Sequence, residues 1–231
     1  MSATMVGVLQ AMGVFLGGLV VRLGVVALVV AGLLAPVALV LGAVRLGRAL
    51  LPFAKGLRRA GHVLYRPGFR YSAGHTWIER EGSRIKVGLD GVAQEILPWA
   101  LCVELPQPGQ RLAEGQVAAI ISCGRDEARI TSPLAGRVVA VNAELVRNPS
   151  LVKEDGYGRG WLFAVEPADA RWSTLPGGAA ARAWLAGESD RLDGFLEAHL
   201  GYSGMAERSG PAPQVLPSGE WRELTTAFLH A

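Results

Sequence analysis

Pro106-Gln107-Pro108-Gly109 recurs 27 residues later as Pro133-Leu134-Ala135-Gly136, and between the two the chain reads Ser122-Cys123-Gly124-Arg125-Asp126-Glu127-Ala128-Arg129. In each motif a proline ends the preceding run and a glycine supplies the turn conformation. Each is followed by a β-like stretch, Gln110–Leu112 and Arg137–Val141. Two such turns predict two related halves of a small β structure. Between them, Val117–Ser122 and Ala128–Thr131 are suited to pair across a tip at Cys123–Glu127.

Working outward, the β character continues on both sides. Thr76–Arg80 and Arg84–Leu89 flank Glu81-Gly82-Ser83, a hairpin signal. Ile85, Val87 and Leu89 alternate with Arg84, Lys86 and Gly88, so one face is expected to be buried. Asp90 is placed to cap a short helix through Leu97. Leu101, Val103 and Leu105 alternate again until Pro106. Downstream, Asn142–Asn148 reads as a helical turn and Trp161–Glu166 as a closing strand. Beyond Pro167 the character changes. Ala179–Leu200 carries Leu185, Leu192, Phe195, Leu196 and Leu200 on one broad helical face. Gly201–Gly219 is rich in Gly, Ser and Pro and is expected to be a mobile tether. Glu220–Ala231 is a short amphipathic stretch with Trp221, Leu224 and Phe228 on one side.

The N-terminal part is of another kind. The chain of 231 residues is 50% hydrophobic, and the excess lies at this end. Residues 6–44 hold one charge, Arg22, and the 22 residues Leu23–Val44 hold none. As a helix at about 1.5 Å per residue, that run is long enough for a bilayer core. A secretory signal would want a basic start and a shorter apolar run. The basic residues follow instead: Arg45, Arg48, Lys55, Arg58, Arg59 and Arg66, with no acid before Glu79. The positive-inside rule puts that side in the cytoplasm. Met1–Val21 is open between a second short pass, an interfacial segment and an extension of the helix. The expected organisation is an anchor over 1–44 with its span at 23–44, a basic linker over 45–68, a mainly β domain over 69–167, and an extension over 168–231 with short C-terminal helices.

Net charge is +3, but residues 1–66 hold seven basic side chains and no acids, while the remainder holds 16 basic and 20 acidic. A nucleic-acid partner wants a basic face, which the acidic part does not offer. The two cysteines, Cys102 and Cys123, make no metal spacing and no disulfide framework.

A family resemblance is carried by His75-Thr76-Trp77, by Val87-Gly88-Leu89-Asp90-Gly91-Val92-Ala93-Gln94-Glu95-Ile96-Leu97, and by Val103-Glu104-Leu105-Pro106 with Gly109. It continues through Ser132-Pro133-Leu134-Ala135-Gly136 with Val138 and Val141-Asn142, then Leu151-Val152 and Tyr157-Gly158-Arg159-Gly160-Trp161-Leu162. In these motifs, residues 69–167 resemble the H protein of the glycine cleavage system. The resemblance implies a mainly β barrel-sandwich hybrid of two small sheets, shared with lipoyl and biotinyl domains. It implies a carrier that catalyses nothing itself. Lipoate is held in amide linkage on a hairpin-tip lysine, and the dithiolane moves between the enzymes of the system.

Counted back from Ser132-Pro133, the family's lysine falls on Arg125 and the glutamate three residues before it on Ser122. The chain's lysines are Lys55, Lys86 and Lys153, so no shift of register restores one at the tip. A guanidinium that stays protonated is a poor nucleophile for acylation. The expectation is therefore a non-lipoylated, membrane-anchored scaffold or adaptor with no cofactor and no metal. It would be single-pass or a short hairpin in the cell membrane, with the soluble domain in the cytoplasm and partners in the membrane and among proteins. Candidate partner-binding residues are Cys123, Arg125, Asp126, Glu127 and Arg129 at the tip, and Trp221, Leu224 and Phe228, a stripe that either packs back on the barrel or, as favoured by the Gly/Pro-rich tether before it, serves as a helix-in-groove ligand. Two alternatives stay open: a carrier using Cys123 for sulfur or acyl groups, and a transport-complex adaptor with a lipoyl-like domain. In the resemblance, His75, Trp77, Asp155 and Tyr157 are framework residues.

Overall fold

The computed structural model describes residues 16, 22, 30, 32–47, 55–98, 102–200 and 218–229. It divides into two compact units, Met1–Lys55 and Gly56–Ala231. In the first, residues 32–47 form a helix, α1, whose apolar side chains are open, with Leu33 70% and Leu39 73% exposed. Among the described residues no helix is long and apolar enough to cross a membrane. Residues 23–29 and 31 of the expected span, and nearly all of Met1–Val21, lie outside the described residues.

The second unit is mainly β. Its strands are β1 (Arg58–Ala60), β2 (Val63–Tyr65), β3 (Arg70–Tyr71), β4 (Thr76–Glu81), β5 (Arg84–Leu89), β6 (Cys102–Glu104), β7 (Arg111–Leu112), β8 (Val117–Cys123), β9 (Asp126–Thr131), β10 (Gly136–Val141) and β11 (Phe163–Pro167). The helices are α2 (Gly91–Ile96), α3 (Glu144–Arg147), α4 (Leu151–Glu154), α5 (Gly178–Leu200) and α6 (Ser218–Leu229). One sheet has the order β3-β4-β5-β11-β10-β7, a second β6-β8-β9, and β1 pairs with β2 alone.

The alternation that predicts β5 is realised: Ile85, Val87 and Leu89 are buried. They meet the inward residues of β8, β9, β10 and β11 in one apolar core that also takes in Trp221 and Leu229. At the end of β5 the chain turns into α2. The buried Asp90 carboxylate accepts from the Val92 and Ala93 amides at 3.0 Å each, satisfying two donors of the helix start. Gly88 is needed beside it, because a Cβ there would stand 2.3 Å from the Trp77 ring.

A second apolar cluster is built around Trp77, Tyr71 and Tyr157 and is closed by β1, β2, α5 and α6. Tyr157 ties it together by accepting from the Gly91 amide and donating to the Leu64 carbonyl, both at 2.8 Å.

The structure corrects several expectations. The stretch 45–68 is not linker throughout: Ala60, Val63 and Tyr65 of β1 and β2 are buried. The strands are three residues each, too short to announce themselves by alternation, and they are stable because α5 and α2 cover them. The C-terminal helices are not both short, since α5 runs 23 residues. Leu101 and the stretch 201–217 lie outside the described residues.

Candidate functional site: the β8–β9 hairpin and its supports

The hairpin is tighter than its sequence suggests. Strand pairing runs from Val117↔Thr131 to Cys123↔Asp126, so the turn is only Gly124 and Arg125. Gly124 has φ +64°, the left-handed conformation that two-residue hairpin turns demand and glycine adopts without strain. Arg125 is thereby placed at the apex, exposed. Glu127 and Arg129 are also exposed, on the outward face of β9, while Ala128 and Ile130 point to the core.

Asp126 departs from the expectation of an open charged tip. It is 5% exposed, and its carboxylate accepts from Arg222 Nη2 of α6 at 2.7 Å. The helix carrying Arg222 is packed against β9 and α2. Trp221, Leu224 and Phe228 are 4%, 1% and 2% exposed. These three residues are not offered to a partner's groove in this conformation. They fill one within the chain, because a fully apolar stripe gains more from burial on its own domain than from standing in water.

Cys123 sits opposite Asp126 and shares the inward side of the hairpin with Ile121 and Ala128. Its side chain packs against the main core. Cys102, in register with Ser122 on β6, is exposed. Successive residues of a strand face opposite sides, so Ser122 and Cys102 share one face and Cys123 the other. A carrier thiol wants access, and the half-buried Cys123 is the poorer placed of the two. Brief alkylation of the native protein followed by peptide mass mapping is expected to label Cys102 several-fold faster than Cys123. Equal or faster labelling of Cys123 would revive the thiol-carrier reading.

The lysines of this unit lie elsewhere. Lys86 is on β5, its Nζ 3.0 Å from Glu81 and over the Trp161 ring. Lys153 is on α4 and donates to the Leu97 carbonyl; burial lowers its pKa.

A buried polar clamp lies at the start of β4. His75 is 1% exposed and has a positive φ of 54°, a strained setting for a residue with a Cβ. Its backbone is fixed by hydrogen bonds to the Ser72 carbonyl and from the Asp90 amide. Its Nδ1 lies 3.0 Å from Asp90 Oδ2 and its Nε2 3.5 Å from Glu188 Oε2 on α5, and the ring stacks on Trp184. Arg191 flanks Glu188 at 3.1 Å. Burial by itself would lower the imidazole pKa, but the Asp90 and Glu188 carboxylates outweigh it and bring it from 6.5 up to about 9. The Glu188 carboxyl is correspondingly lowered, first by its contact with His75.

The sign of the pH effect follows. A folded pKa above the unfolded one means the stabilisation is complete below about pH 6.5 and is lost as pH rises through about 9. The Tyr71 and Tyr157 phenols are pushed up by burial and stay out of that window. The melting temperature is expected to fall between neutral pH and pH about 9.5, and His75→Gln to flatten that fall. An unchanged slope in the variant would rule His75 out as its source.

Pairings that sequence reasoning missed are Arg222 with Asp126 and His75 with Glu188. Each joins residues about a hundred positions apart, and only the amphipathic stripe around Trp221 hinted that α6 belongs against the domain.

The sequence of this unit matches the family model described as glycine cleavage H-protein over residues 69–181. The chain is 36% identical over 99 residues to the glycine cleavage system H protein of Thermus thermophilus, covering 43% of this chain and 77% of that one. It is 39% identical over 106 residues to that of Myxococcus xanthus, covering 46% and 82%. A crystal structure of a glycine cleavage system H protein from Mycobacterium marinum aligns with a TM-score of 0.44 at 28% identity, over 53% of this chain and 99% of that one. At 36% and 39% identity over 77% and 82% of those two relatives' lengths, the chain belongs to the glycine cleavage H-protein family.

Proposed function

We propose that this chain is an H-protein-like domain that does not carry lipoate and serves as a membrane-anchored, non-catalytic scaffold or adaptor at the cytoplasmic face. The observation that carries the reading is the apex itself. Gly124 and Arg125 form the whole turn, and the sequence holds no lysine between Lys86 and Lys153. An amide to lipoate needs a primary amine at that place, and a guanidinium does not supply one. Lys86 and Lys153 are engaged in β5 and α4 and are no substitute.

Anchoring is supported by the 22 uncharged residues Leu23–Val44, by the open apolar side chains of α1, and by the basic residues that follow. The mixed charges of Arg125, Glu127 and Arg129 on an otherwise well-packed hairpin make the tip the first surface for a protein partner.

The test is to express the full chain beside a lipoyl ligase that modifies a conventional H protein and to weigh it intact. The expected mass is unmodified, and a lipoyl adduct on any lysine would end the reading. Carbonate extraction and protease protection on the same cells test the anchor: the chain should stay in the membrane fraction, with Gly56–Ala231 digested only from the cytoplasmic side.

A further inference from the structure

α6 is seated on its own domain as amphipathic helices are seated in grooves. Trp221, Leu224, Thr225, Phe228 and Leu229, at the spacing i, i+3, i+4, i+7 and i+8, are each no more than 4% exposed. Trp221 Nε1 donates to the Ile96 carbonyl at the end of α2 at 3.2 Å. Phe228 meets Phe195 edge-on at 5.9 Å and lies under the Arg191 guanidinium at 4.2 Å. Arg222 closes the other side on Asp126.

Two features separate the groove from its occupant. Two of its walls, α2 and β9, lie within the matched family segment 69–181, whereas the third, α5, lies outside it but for its first residues, and α6 lies wholly outside. The acid is built into the groove, with Asp126 5% exposed, while the base is brought by the helix, with Arg222 69% exposed. A buried carboxylate left without its partner is costly, so the groove selects for a basic residue at that point. A helix of 12 residues is marginal in water, so the order of α6 depends on the groove.

We propose that the groove between α2, β9 and α5 is a docking surface for an amphipathic helix with a basic residue next to its leading aromatic. α6 fills it in cis, and a partner protein's helix of the same chemistry takes its place. The proposal takes from the scaffold reading only the existence of a partner; the groove and its exchange do not depend on whether the hairpin carries lipoate. A tethered helix acts at an effective concentration on the order of millimolar, so a competing helix must bind the emptied groove far more tightly than that. Occupancy of the groove then reports at the hairpin, because Asp126 is the residue next to the Arg125 apex.

The test uses the full chain in detergent and a fluorescent, acetylated peptide with the sequence of residues 218–231. Wild type, its groove filled, is expected to bind the peptide weakly. Phe228→Ala, which weakens α6, is expected to bind it at least about tenfold more tightly. Arg222→Glu changes an exposed side chain, leaves the core whole and is expected to act in the same direction, so the comparison survives if Phe228→Ala does not fold. Asp126→Arg combined with Phe228→Ala should lose the native peptide and gain one bearing Arg222→Glu. Equal peptide binding by wild type and both opened variants, or binding indifferent to the charge at position 126, would overturn the proposal. The lipoyl mass measurement is independent of all these arms, so failure here and failure of the scaffold reading are distinguishable.

Discussion

Arg125→Lys is expected to give a chain that a lipoyl ligase accepts, with the lipoyl mass increment appearing on a substantial fraction of the protein. The turn that would present the lysine is already built. Cys123 and Asp126 close the ladder, Gly124 takes the positive φ, and the residue after it stands exposed. What the wild-type apex lacks is an amine that can lose its proton and attack an acyl group, and lysine supplies it. Adding Ser122→Glu, which restores the acid that the family resemblance places three residues earlier, is expected to raise the modified fraction further. Intact-mass measurement after co-expression reads both variants. If neither gains the increment while a conventional H protein in the same cells does, then the hairpin's surroundings exclude the ligase, and the missing amine is not what decides modification.

The largest loss of stability is expected from Asp90→Ala. This one carboxylate caps α2 through two amides, faces His75 at 3.0 Å and has no exposure to water. Removing it leaves the His75 imidazolium buried with Glu188 alone, at 3.5 Å, and leaves the first amides of α2 unmet. Breaking one side of a buried charged pair costs about 3–5 kcal/mol, with about 1 more for the cap. Asp90→Asn retains a cap acceptor and should fall between the two. All six tryptophans lie beyond residue 56, so the near-UV dichroism of the full chain follows this unit during denaturant unfolding. A loss below about 1 kcal/mol for Asp90→Ala would mean that the clamp around His75 is not what holds α2 and α5 to the core.

Much of the central fold could be read from residues. Glu81-Gly82-Ser83 marked the β4–β5 hairpin because its flanks alternate cleanly, and Asp90 marked the start of α2 because a carboxylate before a helix has one obvious use. The pairing of β-like runs predicts a tip at Cys123–Glu127, and the family resemblance puts the lysine position on Arg125; the structure narrows the turn to Gly124 and Arg125. What stayed hidden was long-range. Nothing local in Arg222 announces Asp126, and the apolar stripe of α6 serves equally well for a foreign groove or for its own domain. Only the geometry of α2, β9 and α5 decides between them. The strands β1 and β2 were lost in a basic stretch because the inward residues Ala60, Val63 and Tyr65 are too few to show a period.

The seating of α6 has one more consequence. Among the described residues β9 has a strand neighbour in its sheet only on the β8 side, so it is an outer strand there, and α6 packs against it. An outer strand is a template on which another chain can add itself, and natural sheets protect such borders with a helix or with charge. Here the helix does so beside the alternating Glu127 and Arg129. Proteolytic loss of the last turns of this chain would do more than open a groove. It would leave β9 with neither a second strand neighbour nor its helix, open to pairing with another chain.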